Sequence, residues 1–176
     1  MAERRQARRA ATLALALLAA PLLTGASGRL TALEPRLLAA HNAERAALGL
    51  KPLEWDATLA ADAAGWARHL ARIGDLQHAE DADPEDPQGE NLWAGTKGAY
   101  TPEAMVGLWI AEKKDYRPAP IEEASRTGDF EDIGHYTQLV WRDTGRVGCA
   151  LAAGAEDEVL VCRYRTAGNV EGERAF

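Results

Sequence analysis

The stretch that decides the fold of this chain is Gly134-His135-Tyr136-Thr137-Gln138-Leu139-Val140-Trp141. Its second half is rich in the β-branched and aromatic residues that favour extended structure. We therefore predict a strand over Thr137 to Trp141. His135 stands at the entry to that strand, and side chains at the junction of a loop with a regular element often form functional sites.

Two further strands are predicted downstream of this stretch, over Arg146 to Leu151 and Glu158 to Tyr164. Between them lies Gly154-Ala155-Glu156-Asp157, which has the composition of a hairpin turn. Cys149 and Cys162 then fall on neighbouring strands, where a disulfide can reach. Two free buried thiols are the alternative.

Two amphipathic helices are predicted upstream. Apolar residues recur at helical spacing from Leu33 to Leu48, and Gly49 ends that helix. Asp56 can cap a second helix, which ends near Gly74. The apolar stripe of this second helix must be buried and comprises Leu59, Ala63, Trp66, Ala67 and Leu70.

A third helix follows residues 73–100, which are polar and irregular and which we interpret as a long surface loop. Thr101-Pro102-Glu103 supplies a capping hydroxyl, a proline at the first helical position and an acid that faces the helix dipole. We predict a buried stripe of Met105, Leu108 and Trp109. The next position on that stripe is Glu112. A carboxylate there is unfavourable unless it is paired or bound to a cation, so an arginine ion pair and a functional role are both open.

The N-terminus has the layout of a secretory signal peptide. Four arginines precede an apolar run from Ala10 to Leu23, and small residues follow up to Gly28. The run is shorter than the roughly 20 residues that a membrane-spanning helix needs. We predict that residues 1–28 are removed and that residues 29–176 form one domain. An uncleaved N-terminal anchor is the alternative.

The net charge of the chain and its expected export limit the classes of partner that it can bind. The leader contributes a net charge of +3 to the chain total of −7, so residues 29–176 carry −10. Such a surface repels nucleic acid and anionic membranes, so we predict no nucleic-acid partner and no stable membrane span after signal removal. Export would place both cysteines where thiols oxidise.

The residues that could perform chemistry are few. Ser125 is the one serine in residues 29–176 and lies in a charged loop, and no GxSxG, phosphate-binding loop, dinucleotide fingerprint or HExxH motif is present. His41 and His69 lie within predicted helices, where a lone histidine is usually structural. His78 and His135 lie where loops meet regular elements. From spacing alone, a metal site shared by these two is only a hypothesis.

Taken together, these segments resemble the CAP superfamily of cysteine-rich secretory proteins, antigen 5 and plant pathogenesis-related class 1 proteins. The motifs that carry the resemblance are residues 134–141, Val147-Gly148-Cys149, Cys162-Arg163-Tyr164, Gly168-Asn169, Gly89-Glu90-Asn91-Leu92, Trp109 with Glu112, and His41-Asn42 with Arg45. The chain departs from the family pattern at Ala79, where a serine is frequent, and at Ala167, where a proline is usual.

The resemblance implies an α+β fold, a three-layer α-β-α sandwich with a small, largely antiparallel sheet. It also implies a solvent-reachable cleft lined by His78, Glu90, Glu112 and His135. In some relatives the two histidines bind zinc and the glutamates flank the metal or its water. The positions of Cys149 and Cys162 match a family disulfide.

These inferences favour a binding module over an enzyme. We expect a secreted protein, extracellular or in the cell envelope (periplasm), that holds zinc reversibly and binds a small lipid, sterol or peptide. Two imidazoles leave coordination positions open, so zinc affinity should be modest and should weaken as the histidines protonate near about pH 6 to 7. The alternatives are a metal-assisted hydrolase, with Glu90 or Glu112 deprotonating a zinc-bound water, and a purely structural polar network.

Overall fold

The structure is a computed structural model that describes residues 26–80 and 85–176. Most of the predicted signal peptide, residues 1–25, therefore lies outside the described residues. The helices are α1 (Ala26–Arg29), α2 (Leu33–Ala47), α3 (Ala57–Ile73), α4 (Pro102–Ala111) and α5 (Gly134–Leu139). The strands are β1 (Glu54–Trp55), β2 (Gly89–Thr96), β3 (Arg146–Ala153) and β4 (Asp157–Arg165). No helix within the described ranges is long and apolar enough to cross a bilayer.

The four strands form one sheet in the order β1-β3-β4-β2. Only the short β1 pairs in parallel, with β3, and the other two pairings are antiparallel. The predicted hairpin is confirmed, because β3 and β4 are antiparallel neighbours joined by a turn in which the Gly154 amide donates to the Asp157 carbonyl at 2.8 Å. Cys149 and Cys162 lie opposite each other in this hairpin and form the predicted disulfide.

Helices cover both faces of the sheet. Side chains alternate along β4, so Cys162 and Tyr164 enter one core with α2, α4 and α5, while Val159 and Val161 enter a second core. The second core contains Ala63, Ala67 and Leu70 of α3. The predicted three-layer α-β-α sandwich is confirmed.

The local start and stop signals of the helices are confirmed. Asp56 accepts hydrogen bonds from the amides of Thr58 and Leu59, and α3 ends at Gly74 in the left-handed conformation, with φ of 71°. The Thr101 hydroxyl caps α4. The predicted stripe of α4 is wrong at one position, because Leu108 is 49% exposed while Val106 is buried. At about 100° per residue, Met105, Val106 and Trp109 share one arc and Leu108 falls outside it.

Two other predictions are wrong. Residues 134–139 form helix α5 rather than the start of a strand, and the Thr137 hydroxyl donates back to the Ile133 carbonyl at 2.9 Å. All four residues from Tyr136 to Leu139 are buried, so the run lacks the periodicity that separates a short helix from a strand. The predicted surface loop over residues 73–100 contains strand β2, which is stabilised by pairing with the distant β4.

Candidate functional site

One candidate pair joins helix α5 to the end of helix α4. His135, the second residue of α5, donates from Nδ1 to Oε1 of Glu112 over 2.6 Å. The other carboxylate oxygen accepts the backbone amide of Tyr136 at 2.9 Å. No side chain at Ile133 caps α5, so Glu112 satisfies one of the free amides at that helix end. The same carboxylate thereby orients the imidazole and anchors its helix.

The His135 ring is also held from one side by Trp109. The two rings stack with centroids 6.0 Å apart and planes inclined by 7°. Trp109 in turn donates from Nε1 to the Leu92 carbonyl of β2 at 3.1 Å. The imidazole is 34% exposed and the Glu112 side chain 19% exposed. Because Nδ1 faces a carboxylate, the hydrogen is assigned to Nδ1, and Nε2 carries the lone pair that a metal could use.

The second candidate pair joins the loop after α3 to strand β2. His78 donates from Nδ1 to Oε1 of Glu90 at 2.7 Å, and the Ala79 amide donates to the same oxygen at 3.1 Å. Arg163, opposite Glu90 in the sheet register, places its Nε 2.9 Å from the other oxygen. Glu90 and Arg163 are 7% and 10% exposed, whereas His78 is 67% exposed. The hydrogen bond to Glu90 raises the pKa of His78.

The contacts of the carboxylates limit their chemistry. Each glutamate uses one oxygen for an imidazole and the other for a backbone amide or a guanidinium. A carboxylate on the far nitrogen of a histidine is the usual arrangement that orients a metal ligand. Glu90 and Glu112 are therefore placed to orient histidines, and neither has an oxygen reserved for removing a proton from water.

The structure brings each histidine together with one glutamate. Asn91 connects the two regions, because it follows Glu90 on β2 and donates to the His135 carbonyl at 3.0 Å. Neighbouring side chains on a strand leave opposite faces, so Glu90 and Asn91 diverge at this edge strand. Within residues 26–80 and 85–176, no group of three or more His, Cys, Asp or Glu side chains is arranged to hold a metal ion. A single cleft shared by all four residues stays a prediction.

His41, His69 and Ser125 make their contacts outside the two His–Glu pairs. His41 is fully buried between the Leu37 carbonyl and the Tyr164 hydroxyl, and burial lowers its pKa to about 4. His69 stacks on Trp66 with ring centroids 4.8 Å apart. Ser125 has its hydroxyl 2.8 Å from that of Thr127, which supplies no general base.

Sequence reasoning missed the residues that complete the two pairs. The sequence leaves an arginine partner for Glu112 open, whereas the structure pairs Arg163 with Glu90. A signal for Arg163 was present, because a charged residue inside the apolar run of β4 requires a buried partner. Asn91 and Tyr164 gave no comparable signal.

A groove of about 580 Å³ lies away from both pairs. It runs between the end of α3 and the β3–β4 hairpin, and its apolar lining includes Leu70, Ile73, Leu76, Ala94 and Val159. None of the four predicted cleft residues lines it. The groove is therefore a feature separate from the histidines.

Comparison with known proteins identifies the family of this chain. The model of the cysteine-rich secretory protein family, CAP, matches residues 38–164. The chain belongs to the CAP family. It is 36% identical over 138 residues to the pathogenesis-related protein PR-1 type of Sambucus nigra, covering 78% of each chain. It is also 36% identical over 140 residues to pathogenesis-related protein 1A of Nicotiana tabacum, covering 79% of this chain and 78% of that protein.

Solved CAP structures share the fold. The crystal structure of NaASP2 with Zn2+ superposes with a TM-score of 0.67 at 19% identity, covering 81% of this chain and 83% of that chain. Venom allergen-like protein 4 of Schistosoma mansoni gives a TM-score of 0.58 at 22% identity, covering 78% and 89%. At these identities the likeness establishes the CAP sandwich, and the function has to be argued from the site.

Proposed function

We propose that this CAP domain is an extracellular binding module that holds zinc reversibly through Nε2 of His78 and Nε2 of His135. The observation that carries the proposal is the shared geometry of the two pairs, in which Nδ1 of each imidazole is occupied by a carboxylate. That bond selects the tautomer whose Nε2 can bind a metal, and it raises the basicity of the ligand. NaASP2, which has the same fold, was crystallised with Zn2+.

The donor set fits an open zinc site and does not fit a closed structural one. Imidazole nitrogens are good zinc ligands, but a structural site uses four protein donors. Two histidines leave positions for water or for a donor atom of a ligand, which is consistent with exchangeable metal. Zinc must compete with the proton on His78, whose pKa is raised by Glu90, so acid weakens binding.

We also propose that a small lipid, sterol or peptide binds beside the metal. Apolar surface flanks the His135–Glu112 pair and supports this proposal. Phe130 is half-exposed, and its ring lies against Gly134, the residue before His135. Leu108 is half-exposed one helical turn before Glu112. A ligand with one metal-binding group and one apolar part would use both kinds of surface.

Binding without catalysis is the better of the two functional readings. A hydrolase would need Glu90 or Glu112 to accept a proton from zinc-bound water. Each carboxylate would first have to release a hydrogen bond or, at the second oxygen of Glu90, the ion pair with Arg163. The structural alternative has one observation in its favour, because Arg163 already neutralises Glu90 without any ligand.

The extracellular location rests on the predicted removal of residues 1–28 and on the acidic surface of the remainder. We propose release outside the cell, since no observation favours retention in the periplasm. Expression with the native N-terminus, followed by N-terminal sequencing of protein from the medium, tests this proposal. Full-length chain retained on cells would contradict it.

Calorimetry of zinc binding tests the central proposal. We expect one reversible zinc site in the wild type, loss of binding in His135→Ala, and no loss in His69→Ala, which removes an imidazole from neither pair. Equal binding by the wild type and His135→Ala would refute the site. A panel of peptide and ester substrates, assayed with and without chelator, should show no turnover, and chelator-sensitive turnover would favour the hydrolase.

A further inference from the structure

A chain of buried hydrogen bonds crosses the core and ends at His135. His41 Nδ1 lies 2.8 Å from the Leu37 carbonyl, and its Nε2 lies 2.8 Å from the Tyr164 hydroxyl. Asn91 Nδ2 lies 3.2 Å from that hydroxyl and 3.0 Å from the His135 carbonyl. The three side chains are essentially inaccessible to solvent. Helix α2 is thereby connected through β4 and β2 to helix α5.

Simple chemistry sets the direction of every bond in this chain. A carbonyl can only accept, so His41 carries its hydrogen on Nδ1. Burial keeps the imidazole neutral, so Nε2 accepts from the Tyr164 hydroxyl. The Tyr164 oxygen then accepts one amide hydrogen of Asn91, and the other amide hydrogen goes to His135. Only one arrangement of hydrogens satisfies all four contacts, so the Asn91 amide is held in a single orientation.

Asn91 occupies the position that couples the two candidate pairs. It follows Glu90 on β2, so the strand that carries one pair is bonded at the next residue to the helix that carries the other. Trp109 provides a parallel connection, because it donates to Leu92 of β2 and stacks on His135. The Trp109 ring also meets His41 edge-on, with centroids 6.2 Å apart.

We infer that Asn91, oriented by His41 and Tyr164, is a positioning residue that sets the distance between the two His–Glu pairs and thereby the zinc affinity. This inference rests on the proposed function. Metal–ligand distances tolerate only about ±0.2 Å. A shift of α5 against β2 by a fraction of a hydrogen-bond length therefore weakens a site whose two ligands lie on different elements.

The test uses variants that remove single links of the chain. Tyr164→Phe deletes only the hydroxyl, and Asn91→Ser shortens the side chain that reaches His135. We expect each variant to bind zinc about tenfold more weakly in calorimetry, at the low end of the effect of groups that orient metal ligands. Because Tyr164 acts through Asn91, the double variant should bind no more weakly than Asn91→Ser alone.

Thr144→Val is the matched control. Thr144 is buried, donates its hydroxyl to the Thr166 carbonyl at 2.7 Å and accepts from Gln138 Nε2 of α5 at 3.3 Å. This variant therefore loses two buried hydrogen bonds, as Tyr164→Phe does, and leaves the contacts among His41, Tyr164 and Asn91 in place. We expect its stability to fall as in Tyr164→Phe, with unchanged zinc affinity. The imidazole nitrogen shifts of His135 in metal-free protein should move in Tyr164→Phe and not in the control. This measurement still decides the question if Asn91→Ser does not fold.

The outcomes separate the inference from the proposed function. If Tyr164→Phe and the folded Asn91→Ser keep wild-type zinc affinity while His135→Ala loses it, the positioning role is wrong and the zinc site stands. Additive losses in the double variant would also overturn the role of Tyr164 through Asn91. A wild-type protein that binds no zinc overturns both.

Discussion

The His135–Glu112 and His78–Glu90 pairs share one hydrogen bond, in which imidazole Nδ1 meets carboxylate Oε1 at 2.6 and 2.7 Å. Their surroundings differ. Glu90 is almost completely buried and faces the Arg163 guanidinium, whereas Glu112 is partly exposed and takes a backbone amide as its second partner. His78 projects into solvent, while His135 is stacked on Trp109. The two pairs therefore share one bond geometry in different surroundings. We expect Glu90 to contribute mainly to stability, and Glu112 to contribute its charge to the proposed zinc site.

The largest expected effect is a loss of stability when the Glu90 carboxylate is removed. Glu90→Ala leaves the guanidinium of Arg163 largely buried without its partner, so we expect the free energy of unfolding to fall by about 3 kcal/mol in chemical denaturation. Glu103→Ala is the control, because Glu103 pairs with Arg36 on the surface and its removal should have a much smaller effect. Equal losses in both variants would contradict a structural role for the Glu90–Arg163 contact.

At the His135–Glu112 pair we expect a smaller loss of stability and a larger loss of zinc affinity. Glu112→Gln removes the charge and leaves one acceptor oxygen for the two N–H donors, so we expect zinc affinity to fall about tenfold and the free energy of unfolding to fall by about 1 kcal/mol. Glu90→Gln should show the reverse balance, with the larger loss in stability. Calorimetry and denaturation of both variants check this, and matching profiles would remove the distinction between the pairs.

The smallest effect is the pH dependence contributed by His78. Glu90 raises the pKa of His78 in the folded state, so the folded protein keeps this proton at pH values where the unfolded chain has lost it. The stabilisation is therefore present below the unfolded pKa of about 6.5 and is lost as pH rises through the folded-state pKa. His78 is mostly exposed, so the slope should be shallow. His78→Asn should flatten the free energy of unfolding above about pH 6.5, and an unchanged profile would contradict this linkage.

Much of the helical framework could be predicted from local signals. Asp56, Gly74 and Thr101 mark helix ends through contacts within four residues, and each acts as expected. The predictions for β2 and α5 were wrong because both elements depend on distant partners. Strand β2 exists through its pairing with β4, and α5 is anchored at its start by Glu112.

Only part of the candidate site could likewise be predicted from local signals. Helical spacing alone places Glu112 on the apolar side of the third predicted helix. His78 and His135 are predicted as site residues only through the resemblance to the CAP family. The partner of each histidine lies 12 or 23 residues away along the chain, and Asn91 lies 44 residues from His135. No short-range pattern encodes such contacts.

The sequence by itself determined the caps of α3 and α4, the β3–β4 hairpin with its cysteines on neighbouring strands, and membership of the CAP family. These features depend on local backbone preferences or on contiguous motifs. Only the tertiary structure decided that residues 134–139 are helical, that Arg163 neutralises Glu90, and that Asn91 links β2 to His135. The physical reason is that burial removes water as a hydrogen-bond partner. The groups that replace water are then chosen by which elements pack together, and not by which residues are neighbours in the chain.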